Sequence, residues 1–242
     1  GYDPYLLKDI AHPDLPEYKI YIFLSSNTMT RREVEAVENR LQRDGNILVF
    51  IHAPGVSGEL GLSETSRRLM GMTVTLDPEF STHYKYQAVG QDPLAEQIEQ
   101  LHTSTHGPIL FIDKPESQGA TPLAVYPQEA GGNRVAAAVK RHADWTSVYL
   151  AIPGGFTPRF LRNLALEAHV KPTGPDGDAT YVGNRMIVLH AMSDGPKTIS
   201  WDKPADLIDL TLNKTVATAA TNYTFDLPVG ETAWFRYEPS TE

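Results

Sequence analysis

The 242-residue sequence contains no cysteine. This absence excludes disulfides, a thiolate nucleophile and cysteine-ligated metal sites within the chain. No apolar run approaches the roughly 20 residues of a membrane-spanning helix. Basic residues are the minority, with 21 Lys and Arg against 30 Asp and Glu, and the formal net charge is −9. Nucleic acids and anionic membranes bind clustered positive charge, so we expect neither of them as a partner.

The strongest fold signal lies in the first quarter of the chain. An apolar run from Ile20 to Leu24 predicts a buried strand, and a second run from Ile47 to Ile51 predicts another. Between them, Thr30 and Glu33 have the spacing of a capping box, which predicts the start of an amphipathic helix. A strand, a helix and a strand at this spacing form a βαβ unit, the building block of parallel sheets covered by helices.

Further patterns extend this unit. Asp92-Pro93 and Thr157-Pro158 each place a capping residue before a proline, which predicts two more helices. Residues 2–10 are predicted to form a short strand. Together these patterns predict a doubly wound, flavodoxin-like α/β domain with a mostly parallel sheet over residues 1–170. Short strands and turn signals then recur, which predicts a small antiparallel β unit over residues 171–242.

Several phrases of the sequence resemble a known family. YDPYLLKDI and DLPEYKIYIFLSSNTMTRREVEAVENRLQRDGNILVFIHAPG are similar to the domain that follows the catalytic barrel in family 42 β-galactosidases and related glycoside hydrolases. HADWTSVYLAIPGGFTPRFLRNLALEAHV and ATYVGNRMIVLHAMSDGPKTISW resemble the end of that domain and its β tail. That domain is called the β-galactosidase trimerisation domain, and it resembles a class I glutamine amidotransferase. The resemblance covers most of the chain except roughly residues 80–130.

The resemblance implies a non-catalytic accessory or oligomerisation domain of a glycoside-hydrolase-like protein. The hydrolytic carboxylates would lie in an upstream barrel, and the parent protein would act on carbohydrate. The resemblance also implies that the chain lacks the first strand and helix of its domain. The upstream barrel domain or another chain would supply that strand, and a second copy of the chain and carbohydrate are further expected partners. A periplasmic or extracellular location of the protein is slightly favoured over a cytoplasmic one.

The sequence contains no recognisable catalytic motif. Active amidotransferase-like enzymes use a cysteine, which is absent, and no G-x-S-x-G motif replaces it. His102 and His106 have the spacing of a two-histidine metal site on a helix, but no acidic third ligand is evident nearby. Glu59 and Glu64 are more typical of solvated loop carboxylates than of the paired acids of glycoside hydrolysis. We therefore expect no catalytic residue, no metal and no cofactor.

Four residues are candidates for a ligand-binding or interface site. Asn27 follows the first predicted strand, and His52 and Gly55 follow the second. In a parallel sheet these loops meet at the carboxyl edge of the strands, where ligands usually bind. Trp145 offers an aromatic face to a sugar. Simpler roles stay open, with Asn27 in an Asx turn, His52 bonded to the backbone and Trp145 in packing.

Two other functions stay open at this point. One is a stand-alone, cysteine-independent hydrolase that uses His52 together with a carboxylate. The other is a carbohydrate-binding module that works through Trp145, Trp201 or Trp234.

Overall fold

The structure of the chain, a computed structural model, describes residues 2–24, 26–100, 102–128, 132–152 and 156–239, without the side chains of residues 80–84, 100 and 102–106. Two compact units are formed, one from Pro4–Ala168 and one made mainly of His169–Glu242. The first is a mixed α/β unit around a curled sheet, and the second contains a separate antiparallel sheet. No helix in the described ranges is long and apolar enough to span a membrane.

The first unit combines α-helices, short 3₁₀ helices and one large sheet. Its helices include α1 (Arg31–Leu41), α2 (Gly61–Met70) and α3 (Pro158–Glu167). Its strands are β1 (Ile20–Phe23), β2 (Asn46–Ile51), β3 (Val74–Lys85), β4 (Gln87–Ala88), β5 (His102–Ile112), β6 (Thr121–Val125), β7 (Val135–Arg141) and β8 (Trp145–Leu150). The 3₁₀ helices occupy Leu7–Ala11, Pro93–Ala95, Ile98–Gln100 and Pro115–Gln118.

The predicted βαβ unit is present. β1 and β2 pair in parallel, with Ile20 opposite Ile47, and α1 connects them. Thr30 Oγ1 accepts a hydrogen bond from Glu33 N at 3.3 Å, while Glu33 Oε2 accepts one from Thr30 N at 2.8 Å. This reciprocal pair is the predicted capping box, and it satisfies backbone donors that the first turn of a helix leaves unpaired. The apolar face of α1 is buried through Val34, Val37 and Leu41.

The sheet is mixed, which corrects the prediction of a mostly parallel, flavodoxin-like sheet. Its strands follow the order β1-β2-β8-β7-β5-β3, with β6 beside β7 and β4 beside β6. β1, β2 and β8 are parallel, whereas the described pairings beyond β8 are antiparallel. The reason is visible at β7 and β8, which are joined by only three residues, 142–144. A connection this short can join only antiparallel neighbours.

The prediction of a strand at residues 2–10 is wrong. Leu7–Ala11 forms a 3₁₀ helix that contacts α1. Arg40 on α1 donates hydrogen bonds to the carbonyl oxygens of Ile10 and His12. These bonds hold the segment against the helix instead of in the sheet.

The helix predicted from Asp92 is also shorter than expected. Asp92 does cap a turn, because its Oδ1 accepts from Leu94 N at 3.0 Å. However, Gln97 has a φ of +58°, a left-handed conformation that interrupts any α-helix. The segment is therefore divided into two 3₁₀ turns. The helix predicted after Thr157 is confirmed as α3, with Thr157 Oγ1 accepting from Phe160 N at 3.0 Å.

The second unit contains the predicted antiparallel sheet. Its strands are β9 (Ala179–Gly183), β10 (Met186–His190), β11 (Pro196–Asp209), β12 (Lys214–Asp226) and β13 (Thr232–Pro239), in the order β12-β11-β13-β10-β9. Alternate residues of these strands bury a small core that includes Ile187, Leu189, Ile199, Leu207 and Phe235.

A buried ion pair lies within this unit. Lys197 Nζ is 2.8 Å from Asp178 Oδ2, and the two side chains are only 4% and 1% exposed. Lys197 Nζ also donates to Ser193 Oγ at 2.9 Å, and Met192 N donates to Asp178 Oδ1 at 2.8 Å. Burial alone would raise the pKa of Asp178. The hydrogen bonding and charge of Lys197 outweigh burial, so the pKa is lowered.

This pair makes the stability of the second unit depend on pH. The folded-state pKa of Asp178 is lowered, so its ionised carboxylate stabilises the folded state above the unfolded-state pKa of about 3.9. This stabilisation is lost as the pH falls through the folded-state pKa. At pH 7, Lys197→Met leaves a buried carboxylate without its partner and should cost about 3–5 kcal/mol in urea unfolding. The control is Arg236→Met, which breaks a half-exposed pair with Glu238 and should cost less than about 1 kcal/mol. Equal losses in the two variants would contradict this prediction.

Candidate functional site

The carboxyl ends of β1, β2 and β8 lie at one edge of the sheet, because these three strands are parallel. Residues 26–29 follow β1, and residues 53–59 follow β2. Three backbone hydrogen bonds join the two loops: Gly55 N to Ser26 O at 2.7 Å, Ser57 N to Asn27 O at 2.9 Å and Glu59 N to Met29 O at 3.2 Å. The loops that carry Asn27 and Gly55 are therefore held together at this carboxyl edge.

Two glycines allow this close approach. Gly55 has a φ of +71°, and a Cβ atom there would lie 2.3 Å from Thr65 Oγ1 on α2. A Cβ atom on Gly58 would lie 2.3 Å from the carbonyl oxygen of Met29. Both distances are shorter than any ordinary contact, so the loop can pack against its neighbours only because neither position carries a side chain.

His52 is fixed by the end of β8. It has a φ of +67°, its N–H donates to Leu150 O at 2.7 Å, and its carbonyl oxygen accepts from the Tyr149 hydroxyl at 2.8 Å. Its Nδ1 lies 3.0 Å from Ala151 O. A carbonyl oxygen can only accept, so Nδ1 is the donor in this hydrogen bond. The imidazole is thus held by backbone groups of the neighbouring strand.

Trp145 lies at the opposite edge of the sheet. It is the first residue of β8 and pairs with Asn46, the first residue of β2. His52 comes six residues after Asn46, which corresponds to roughly 20 Å of extended strand. The structure therefore brings Asn27, His52 and Gly55 to one edge and leaves Trp145 outside that group.

A serine–histidine pair accompanies Trp145. The Trp145 ring stacks on His142 with centroids 3.8 Å apart, and His142 Nε2 lies 3.2 Å from Ser147 Oγ. Ser147 is fully buried, and its hydroxyl donates to Met70 O at 2.7 Å. Burial and the nearby charge of Lys140 lower the pKa of His142. A substrate cannot reach a buried hydroxyl, so this cluster serves packing at the amino edge of the sheet.

Sequence reasoning missed two buried hydroxyl groups near the carboxyl edge. The side-chain oxygens of Ser26 and Thr65 are buried and have no hydrogen-bond partner among the described residues. No local pattern marks a serine or threonine as buried, so neither could be found from the sequence. A hydroxyl nucleophile needs a base within hydrogen-bonding distance. No base among the described residues lies within hydrogen-bonding distance of the Ser26 or Thr65 hydroxyl.

Glu59 and Glu64, the two candidate carboxylates of the loop after β2, do not form a catalytic pair with each other. Glu64 forms an ion pair with Arg67 at 2.7 Å, and Glu59 is exposed. His102 and His106 lie in β5 and not on a helix. Within the part of the chain whose side chains are described, no group of three or more His, Asp or Glu residues could hold a metal ion.

The fold of the chain is similar to part of several solved β-galactosidases. The β-galactosidase from Bacillus circulans sp. alkalophilus superposes with a TM-score of 0.54 at 20% identity, over 94% of this chain and 34% of that one. A catalytic mutant of a GH42 β-galactosidase from G. stearothermophilus gives a TM-score of 0.54 at 14% identity, over 94% and 33%. The cold-adapted β-galactosidase from Rahnella sp. R3 gives 0.52 at 17% identity, over 94% and 34%.

At identities of 14–20%, these similarities establish the fold of the chain and nothing beyond it. The chain spans only about a third of the length of each of these β-galactosidases. No protein-family model matches the chain, and no curated protein sequence matches it either.

Two glycine-to-alanine variants test the packing of the carboxyl-edge loops. Gly45 and Gly55 have the same φ of +71°, but a Cβ atom on Gly45 would have no neighbour within 4 Å. Gly45→Ala should therefore lower the free energy of unfolding only by the strain of an alanine in the left-handed conformation, about 1–2 kcal/mol. Gly55→Ala adds a collision with Thr65 and should cost clearly more in urea unfolding. If both variants lose the same free energy, the loop is not packed against Thr65.

Proposed function

We propose that this chain is a non-catalytic accessory or oligomerisation domain of a glycoside-hydrolase-like protein that acts on carbohydrate. It would be of the β-galactosidase trimerisation type, with an amidotransferase-like ancestry. The observation that carries this proposal is the likeness to GH42 β-galactosidases, which covers 94% of this chain but about a third of theirs. In this proposal, hydrolysis belongs to a part of the parent protein outside the chain.

The geometry of the carboxyl edge supports a non-catalytic role. Among the residues that the structure describes, no base lies beside the Ser26 or Thr65 hydroxyl, and the sequence contains no cysteine. His52 is held by backbone groups at the end of β8. This edge therefore offers a rigid, closely packed surface, which suits contact with a neighbouring domain.

The open edge of β1 supports a partner that supplies a strand. β1 pairs with β2 on one side and with no other described strand. Ile47 N donates to Lys19 O, and successive residues of a strand turn their backbone groups to opposite sides. The N–H and C=O groups of Tyr21 therefore face β2, whereas those of Ile20 and Ile22 face the open side.

We infer that a further strand pairs with this edge. Apolar edges with unpaired backbone groups are templates for strand addition. Aromatic side chains lie beside the edge, with the Tyr18 ring 6.0 Å from Tyr5 and 5.9 Å from Tyr21. The upstream part of the same polypeptide is the expected donor. A different chain, including a second copy of this one, is the alternative donor.

Two proline variants of the parent protein test the strand-addition proposal. Ile22→Pro removes an outward N–H, so it should weaken docking or assembly at least tenfold while it destabilises the isolated chain less than Tyr21→Pro does. Tyr21→Pro removes an N–H that faces β2 and should destabilise the isolated chain itself. Assembly is measured by light scattering, and stability by urea unfolding. Unchanged assembly in Ile22→Pro would exclude strand addition at this edge.

An activity assay separates the accessory role from an independent hydrolase. The chain alone should not cleave nitrophenyl β-galactoside, and His52→Ala should change nothing in that assay. Turnover by the purified chain that is lost in His52→Ala would establish a cysteine-independent hydrolase and overturn the non-catalytic proposal.

A further inference from the structure

The outer face of the second unit's sheet carries a row of apolar side chains across three paired strands. Val188 on β10 lies opposite Tyr181 on β9 and opposite Trp234 on β13. Directly opposite residues point to the same face, and here the core residues Ile187 and Leu189 point to the other. Tyr181 is 68% exposed and Trp234 is 47% exposed. We call Tyr181, Val188 and Trp234 the aromatic row.

Polar side chains border the aromatic row on both sides. The next cross-strand pair on one side is His190 and Thr232, whose Nδ1 and Oγ1 atoms lie 2.9 Å apart. On the other side, Met186 lies opposite Arg236, and the Arg236 guanidinium lies 3.0 Å from Glu238 Oε1. Hydrogen-bonding side chains therefore lie directly beside Trp234 along β13 on both sides, Thr232 on one and Arg236 on the other.

We propose that the aromatic row binds an oligosaccharide. A pyranose presents an apolar C–H face surrounded by hydroxyl groups, which matches a flat aromatic ring bordered by polar side chains. Trp234 and Tyr181 stack on sugar rings, while His190, Arg236 and Glu238 hydrogen-bond their hydroxyl groups. This binding site goes beyond the accessory role proposed above and does not depend on the open edge of β1.

The spacing of the row indicates the length of the ligand. β9 and β13 are separated by β10, so their opposite residues are two strand spacings apart, roughly 9–10 Å. This separation exceeds the width of one pyranose ring. A ligand that stacks on both Tyr181 and Trp234 is therefore at least a disaccharide.

The area of the row favours a sugar over a second copy of the chain. The exposed parts of the two aromatic side chains amount to roughly 250 Å², whereas a stable protein interface buries about 800 Å² on each partner. Leu210, whose N–H donates to Trp234 O at 2.9 Å, is 37% exposed and extends this area only modestly. The exposed apolar area is therefore too small to form the dry centre of such an interface.

The other tryptophans are less suited to this role. Trp201 is 9% exposed and belongs to the core of the second unit. Trp145 has one ring face covered by His142. Among the three tryptophans of the chain, Trp234 is thus the one that is about half exposed and shares a sheet face with a second exposed aromatic residue, Tyr181.

Calorimetric titration of the whole chain tests the proposal, with a galactan hexasaccharide, cellohexaose and mannohexaose as ligands. At least one of them should bind, and Trp234→Ala should weaken that binding at least tenfold. Trp234→Phe keeps a flat ring and should lose less. Tyr181→Ala should weaken hexasaccharide binding but leave monosaccharide binding unchanged, because one pyranose ring cannot reach both aromatic residues. Leu212→Ala, which removes an exposed side chain outside the row, is the matched control and should change nothing.

Three results would overturn the proposal. The first is the absence of binding to all three hexasaccharides at millimolar concentration. The second is binding that Trp234→Ala leaves unchanged in a variant with native thermal unfolding. The third is a Trp234→Ala variant that loses self-association in light scattering but retains sugar binding, which would make the row a protein interface. Ile22→Pro should bind sugar normally, so failure of the accessory role and failure of this proposal remain distinguishable.

Discussion

Complete burial of β2 is the constraint on which the α/β unit depends. All six residues from Asn46 to Ile51 are buried, so the strand needs a paired neighbour at each edge and a covering layer on each face. β1 and β8 provide the neighbours. Even the polar residue at its start is satisfied, because Asn46 Nδ2 donates to Leu41 O at 3.1 Å. Once these three strands are parallel, the loops that follow them must meet at one edge.

The sequence was informative where structure is determined locally. The capping box of Thr30 and the proline after Thr157 act within one helical turn, so both helices could be predicted. The pairing of β5, β3 and β6 beyond β7 depends on contacts across the sheet, and no short-range pattern reports it. The helix predicted from Asp92 failed for a similar reason. Its apolar residues have helical spacing, but the left-handed conformation of Gln97, which no pattern in the sequence indicated, divides the segment.

The candidate site was predictable only in part, for a related reason. Asn27, His52 and Gly55 follow strands whose direction the βαβ pattern already determined, and they are found at the same edge. Trp145 begins its strand instead of ending it, which places it at the other edge. Lys197 could not be recognised as a buried ion-pair partner, because Asp178 reaches it from a loop that no periodic pattern describes.

The open edge of β1 and the aromatic row differ in what they can recognise. Backbone groups are the same in every strand, so the edge itself accepts any extended segment and selects a partner only through the side chains beside it. The sugar site proposed for the aromatic row instead selects its ligand by the shape and polarity of its side chains. A protein that must both remain attached to a specific neighbour and contact a carbohydrate needs these two kinds of surface, because neither chemistry can substitute for the other.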